Sequence, residues 1–259
     1  MINLLKRSRS LPYPLARFGA CLRWVVTSSE THSVSYVAEP SASWAVAGVL
    51  QTLLDIPLSE ALHHVSAIDH DQILGDGMRQ AKKLHGARLP HDLPQGWGKH
   101  VFYYAMIRAA CIRRVLELGT YHGFGTACLI AAMRNVSDEK GGEIVTVDHR
   151  ECVPNFIPED RAVNLRRISG DVSELARMDI GNPELCVWDV VNDPSLERNA
   201  YDDVVRRTPG LRFLCSNWHG SGVLFNLSVE RGWRYLAVSV PSQGHWYPGA
   251  LLGVAAITQ

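Results

Sequence analysis

The rhythm of apolar positions changes part-way along this chain. From Ser41 to Leu54 it is helical, with Trp44, Val46, Leu50 and Leu53 available for one buried face. Pro57 breaks that pattern or opens a new helix at Leu58, which runs to about Ile68. A third helix is expected from about Asp71 to Leu84. Residues 86–98 hold two prolines and three glycines and read as a linker or lid. After another helix over His100–Ala110, Arg114–Leu118 is apolar but too short for a helix, and a glycine loop follows at once. That combination predicts a buried parallel strand. From there strands and helices alternate. Strands are expected at Glu143–Val147, up to Ser169, and at Leu185–Trp188, Leu211–Cys215, Tyr235–Val240 and Leu251–Ile257. Helices are expected at Thr126–Arg134, Leu196–Arg207 and around Val223–Glu230. The alternation predicts an α/β fold, a doubly wound, mostly parallel sheet of seven strands. The closing pair, joined across Pro241–Gly249, fits an antiparallel hairpin at the sheet edge. Residues 1–95 form an N-terminal, largely helical extension, and 96–259 the sheet domain.

Composition narrows the function. The chain has 259 residues, 46% hydrophobic and 20% charged, as expected of a soluble globular protein. Lys plus Arg equals Asp plus Glu, and the absent basic excess argues against a nucleic-acid partner. Lys6, Arg7, Arg9, Arg17 and Arg23 precede the first acid, Glu30, and make a basic arm. It is either simply solvated or a weak membrane-surface or partner contact. No apolar run approaches the roughly 20 residues of a membrane span. Arg17 and Arg23 interrupt Leu15–Val26, which speaks against a signal peptide. The six cysteines form no CxxC pair and read as buried thiols of a cytoplasmic protein.

The most informative stretch is VLELGTYHGFGT, Val115–Thr126, with the spacing ExGxxxGxG from Glu117 through Gly119, Gly123 and Gly125. Glycines let the backbone turn sharply after a strand and let a ligand lie against bare main chain. The next helix offers unpaired N–H groups. A dinucleotide loop needs GxGxxG, but Cys128 stands where its third glycine belongs. An acid just before the loop would repel a pyrophosphate and suits a cation.

On these residues the chain resembles class I S-adenosylmethionine-dependent methyltransferases, whose first motif Glu117–Gly125 is similar to. The resemblance covers roughly residues 95–259 and implies a Rossmann-like domain that binds S-adenosyl-L-methionine. Glu117, Gly119, Gly123 and Gly125 would cradle its methionine part, with Thr120 and Tyr121 in the same loop. Asp148, ending the strand in EIVTVDHR and followed by His149, would accept the ribose hydroxyls. In ISGDVSEL, Asp171 would accept the adenine amino group and Val172 would face the ring, although Asp171 also suits a helix N-cap.

Acceptor groups should come from the C-terminal ends of strands four and five. There stand Asp189, with Asp193 nearby, and Asn217, Trp218 and His219. Related small-molecule O-methyltransferases often carry an acid at each strand end, some with magnesium between them. Asp189 also borders the cofactor, and Asp189 with Asn217 can take Mg2+ through oxygen. This chain reads Asp189-Val-Val-Asn where relatives often have Asp-Gly-x-His, which puts that metal in doubt. His219 is the preferred general base and His245, in SQGHWYPG, the second candidate. His122 could shape the cofactor pocket or face the acceptor. Trp218, Trp246 and Tyr247 could stack on a flat or sugar-like acceptor, and Trp97 and Gly98 could cover the cofactor.

The expected function is O-methylation of a small-molecule acceptor, a specialised metabolite or glycan. A homodimer through the N-terminal arm is compatible with this. The alternatives are a catalytically silent fold serving as a partner subunit, a methyltransferase acting on RNA or protein, and an enzyme using the same cofactor for another reaction.

Overall fold

The computed structural model describes residues 18–19, 22, 36–77, 96–121, 123–136, 141–149, 163–190, 193–217, 222–243 and 247–258. Helices α1 (Pro40–Leu54) and α2 (Leu58–Ser66) precede α3 (His100–Ala110). Strand β1 (Arg114–Leu118), α4 (Phe124–Arg134), β2 (Gly142–Asp148), β3 (Val163–Ser169) and β4 (Leu185–Trp188) follow. Then come α5 (Pro194–Arg207), β5 (Phe213–Asn217), α6 (Val223–Arg231), β6 (Arg234–Pro241) and β7 (Gly249–Ala256). The seven strands lie in the order β3-β2-β1-β4-β5-β7-β6. All neighbours are parallel except β5–β7 and β6–β7, so the fold is Rossmann-like with the expected closing hairpin.

Strand periodicity explains the two layers. Val115, Ile144, Leu185, Val187 and Cys215 point to one face, where they meet α1, α3 and α4. Leu116, Leu118, Val145, Val147, Cys186, Trp188 and Leu214 point to the other, under α5 and α6. Successive side chains on a strand alternate faces, so Glu117 is sent to the α3/α4 side.

Three expectations are corrected. Trp44 is 69% exposed, because the buried stripe of α1 runs Ala42, Val46, Ala47, Leu50 and Leu53 and position 44 falls on the opposite side. The α5 helix begins at Pro194 rather than Leu196, since Asp193 accepts from Ser195 N and Leu196 N and proline suits the first helical turn. Cys111 is exposed in the left-handed cap of α3, while Cys128, Cys186 and Cys215 are buried free thiols as expected. Of the expected third helix, residues 72–77 are helical and the remainder lies outside the described residues.

Residues 36–38 tie the N-terminal segment to the hairpin. The Tyr36 hydroxyl donates to Val240 O and accepts from Ala250 N, both at 2.9 Å. Ala38 bridges to Ser242. Gly98 N donates to Tyr36 O at 3.0 Å, which anchors the residues just ahead of α3. No helix among the described residues is long and apolar enough to cross a membrane.

Candidate active site

The glycine loop follows β1 at the carboxyl edge of the sheet. Gly119 N donates to Val147 O at 2.9 Å, and its φ is +102°. A Cβ there would collide with the carbonyl oxygen of Asp189, so only glycine lets β1 turn against the end of β4. A Cβ at position 125 would lie 2.7 Å from Glu117 Oε1. The glycine therefore leaves the carboxylate its space.

Glu117 is 3% exposed. It pairs in register with Thr146 on β2. The hydroxyls of Thr126 and Thr146 donate to Oε2 at 2.5 and 2.7 Å, and Thr120 and Thr146 hydroxyls lie 2.5 Å apart. Burial pushes the Glu117 carboxyl up to about 7 against these two donors. A buried carboxylate of this kind gains most from a ligand cation.

At the end of β2, Asp148 Oδ2 accepts from Tyr121 N at 2.8 Å and Oδ1 lies 3.5 Å from His149 Nδ1. The Asp148 carboxylate is thereby fixed to the glycine loop. Gly170 N donates to Asp148 O at 3.0 Å, so the turn after β3 joins the same rim. There Asp171 caps the 3-10 turn Val172–Arg177 and accepts from Ser173 N at 2.8 Å. That backbone bond holds its carboxyl below the usual range. Val172 is buried in the α5/α6-side cluster.

Asp189 stands at the end of β4, its N–H donating to Leu118 O at 2.8 Å. Lys99 Nζ donates to Asp189 Oδ1 at 2.6 Å, and Asn217 Nδ2 donates to the same oxygen at 3.0 Å. Burial alone would raise the Asp189 carboxyl, but Lys99 and these hydrogen bonds hold it below the usual range. His100 is pushed down to about 4 by burial, with Lys99 adding repulsion, and its Nδ1 lies 3.1 Å from Trp97 O. The Tyr103 hydroxyl is buried, and burial followed by the nearby Asp189 raises it well above the ordinary tyrosine range. Tyr247 packs its ring 5.6 Å from Tyr36, and Trp97 stacks on Phe124 at 5.7 Å.

The magnesium expectation finds no support in this arrangement. Asp189 and Asn217 do meet, but Asn217 turns its amide N–H toward the carboxylate, and the Lys99 ammonium stands where a cation would bind. Two like charges cannot share that oxygen without strong repulsion. Asp193, the other acid considered, is used in capping α5. No group of three or more His, Cys, Asp or Glu that could hold a metal occurs among the described residues.

His219, His245, His122, Trp218 and Trp246 lie outside the described residues. The sequence reading did not single out Lys99, His100 or Tyr103, nor the hydrogen bonds that Thr126 and Thr146 give the Glu117 carboxylate. Thr126 ends the glycine motif and Thr146 lies within EIVTVDHR, so their positions carried a signal. Lys99 and Tyr103 carried none.

No family model and no curated protein matches the chain. Solved structures do. A provisionally assigned O-methyltransferase from Klebsiella pneumoniae is 15% identical over 83% of this chain and 98% of its own, with a TM-score of 0.48. The O-methyltransferase TomG from Streptomyces achromogenes, involved in tomaymycin synthesis and solved with SAM, is 14% identical over 73% and 91%, with a TM-score of 0.47. An O-methyltransferase from Bacillus cereus in complex with SAH is 14% identical over 83% and 99%, with a TM-score of 0.44. With identities and TM-scores this low, what those proteins bind or methylate does not transfer to this chain.

Proposed function

We propose that this chain is an S-adenosyl-L-methionine-dependent methyltransferase acting on a small-molecule acceptor oxygen. The observation that carries the reading is the buried Glu117 beneath the bare backbone of Gly119 and Gly125, with Asp148 tied to the same loop. A dry carboxylate next to main chain that only glycine can form suits the ammonium of an amino-acid cofactor. Asp148, at the next strand end, suits a ribose diol, since a carboxylate accepts hydrogen bonds from two hydroxyls at once. Asp171 and the main chain around Gly170 would take the nucleobase. The resemblance in motif spacing points the same way.

When bound, the cofactor supplies an electrophilic methyl group on a sulfonium. The chain's part is to align an acceptor and exclude water. The ends of β4 and β5 present Asp189 and Asn217 to that space, Lys99 reaches Asp189 from the turn before α3, and Tyr103 and Tyr247 lie close to Asp189. The zero net charge gives no support to an RNA acceptor.

The test is calorimetric titration with S-adenosylmethionine and S-adenosylhomocysteine, with Asp148→Ala as the comparison. Binding to the wild type that weakens by about tenfold or more in the variant supports the reading, one charged hydrogen-bonding group being worth that much. Absence of binding to either ligand overturns it.

A further inference from the structure

Lys99 is unusual for a lysine in that its side chain is only 15% exposed. It sits one residue ahead of α3, in a turn held by the Tyr36 carbonyl, and its ammonium reaches Asp189 at the end of β4. The Asp189 backbone is itself packed against Gly119. The ammonium therefore lies beside the loop that the proposed cofactor would occupy, at the strand ends where the acceptor belongs.

The two partners are not used up by each other. Lys99 and Asn217 both bond Oδ1 of Asp189, and Lys99 makes one hydrogen bond among the described residues out of the three its ammonium can donate. Tyr103, one helical turn after Lys99, has a buried hydroxyl with no hydrogen-bond partner among the described residues. Its chemistry is that of a second donor. Among the described residues the titratable groups that face Asp189 are Lys99, His100, Glu117, Tyr103 and Tyr247, and of these only Lys99 brings a positive charge to it. Asp189 is held ionised by a cation, and a carboxylate stabilised in that way is a weak base. The His100 imidazole is directed by its Nδ1 contact to Trp97 O.

We propose that Lys99, seated on Asp189, is the built-in cation of the acceptor site and selects acceptors that present an oxyanion, namely a phenolate, an enolate or a carboxylate. This rests on the methyltransferase reading above. The acceptor sheds its proton to solvent on binding, and the ammonium holds the resulting negative oxygen. A lone pair of that oxygen forms the new O–C bond, the C–S bond breaks, and its electron pair stays on sulfur, which becomes a neutral thioether. No metal is required, because the lysine supplies the positive charge. An alcohol of ordinary acidity would be a poor acceptor.

The experiment uses the full chain after dialysis against EDTA. S-adenosylhomocysteine is first titrated by calorimetry into the wild type, Lys99→Met and Lys99→Arg. In its saturating presence 4-nitrophenol is then added at a pH below its own pKa, and the absorbance band of the phenolate is followed. 4-Nitrotoluene, of similar shape and uncharged, is the competitor. The wild type is expected to enrich the phenolate without added metal and to prefer it over 4-nitrotoluene by about tenfold or more. Lys99→Met should lose that preference while still binding S-adenosylhomocysteine, and Lys99→Arg should retain part of it. Equal binding of charged and uncharged probes by the wild type would overturn the inference, as would a phenolate band that needs Mg2+ or survives unchanged in Lys99→Met. If Lys99→Met does not fold, Lys99→Gln takes its place as the uncharged variant, and equal binding of the two probes by the wild type still overturns the inference. Failure of the wild type to bind S-adenosylhomocysteine would be read in the first titration, and would sink the cofactor reading and this inference with it.

Discussion

Glu117 and Thr146 stand opposite each other on neighbouring parallel strands, and the Thr146 hydroxyl donates to Glu117 Oε2 across 2.7 Å. Thr126, from the first turn of α4, donates to the same oxygen. Two hydroxyls and a glycine thus hold one carboxyl group dry at the mouth of the sheet.

That carboxyl makes stability depend on pH. Burial raises it from 4.5 to about 7 in the folded chain. Between those values the folded state keeps a proton that the unfolded state has released. Stability from this group is therefore greatest below the window, falls as pH rises through it, and levels off above about 7. The loss is on the order of 3 kcal/mol. Urea denaturation on either side of the window should show it, and Glu117→Gln should flatten it.

Ligand binding should be coupled to the same proton. A cofactor ammonium pairs with the carboxylate and not with the neutral acid, so S-adenosylmethionine affinity should rise with pH until it levels off above about 7. Below that point binding should release a proton. Calorimetry in buffers of different ionisation enthalpy reads the release directly, and an enthalpy independent of buffer would contradict it.

Gly119→Ala should be among the most damaging small changes in the chain. The residue has φ +102°, and an added Cβ meets a backbone carbonyl, which cannot swing aside as a flexible side chain would. A destabilisation of about 2–4 kcal/mol is expected. Thermal unfolding measures it, with S-adenosylhomocysteine binding lost alongside.

Tyr36→Phe tests the tie between the N-terminal segment and the hairpin. Removing the hydroxyl leaves Val240 O and Ala250 N without that partner inside the protein. A cost of about 1–3 kcal/mol is expected from denaturant titration. Hydrogen exchange at Ala250 should accelerate.

Much of the sheet could be read along the chain because each buried strand is a short apolar run with its own punctuation. Arg114–Leu118 and Leu185–Trp188 were expected at the bounds they take, since a glycine loop closes one and Asp189 follows the other at once. The strand expected from Leu211 begins two residues later, at Phe213, because nothing in the apolar pattern marks where ladder pairing starts. Trp44 was misplaced because a large apolar residue two positions from a stripe resembles a member of it, and only packing shows which side is covered.

Glycine spacing and strand-end acids are local properties, dictated by φ and by where a strand must stop, so Glu117, Gly119 and Asp148 stood out before any fold was known. The Lys99–Asp189 pair did not, because its partners are 90 residues apart and no local pattern links them. It exists only because the Tyr36 strap fixes the turn before α3 while Gly119 packs against the end of β4. Long-range charge pairing is settled by the packing of rigid elements, which no local reading of the chain supplies.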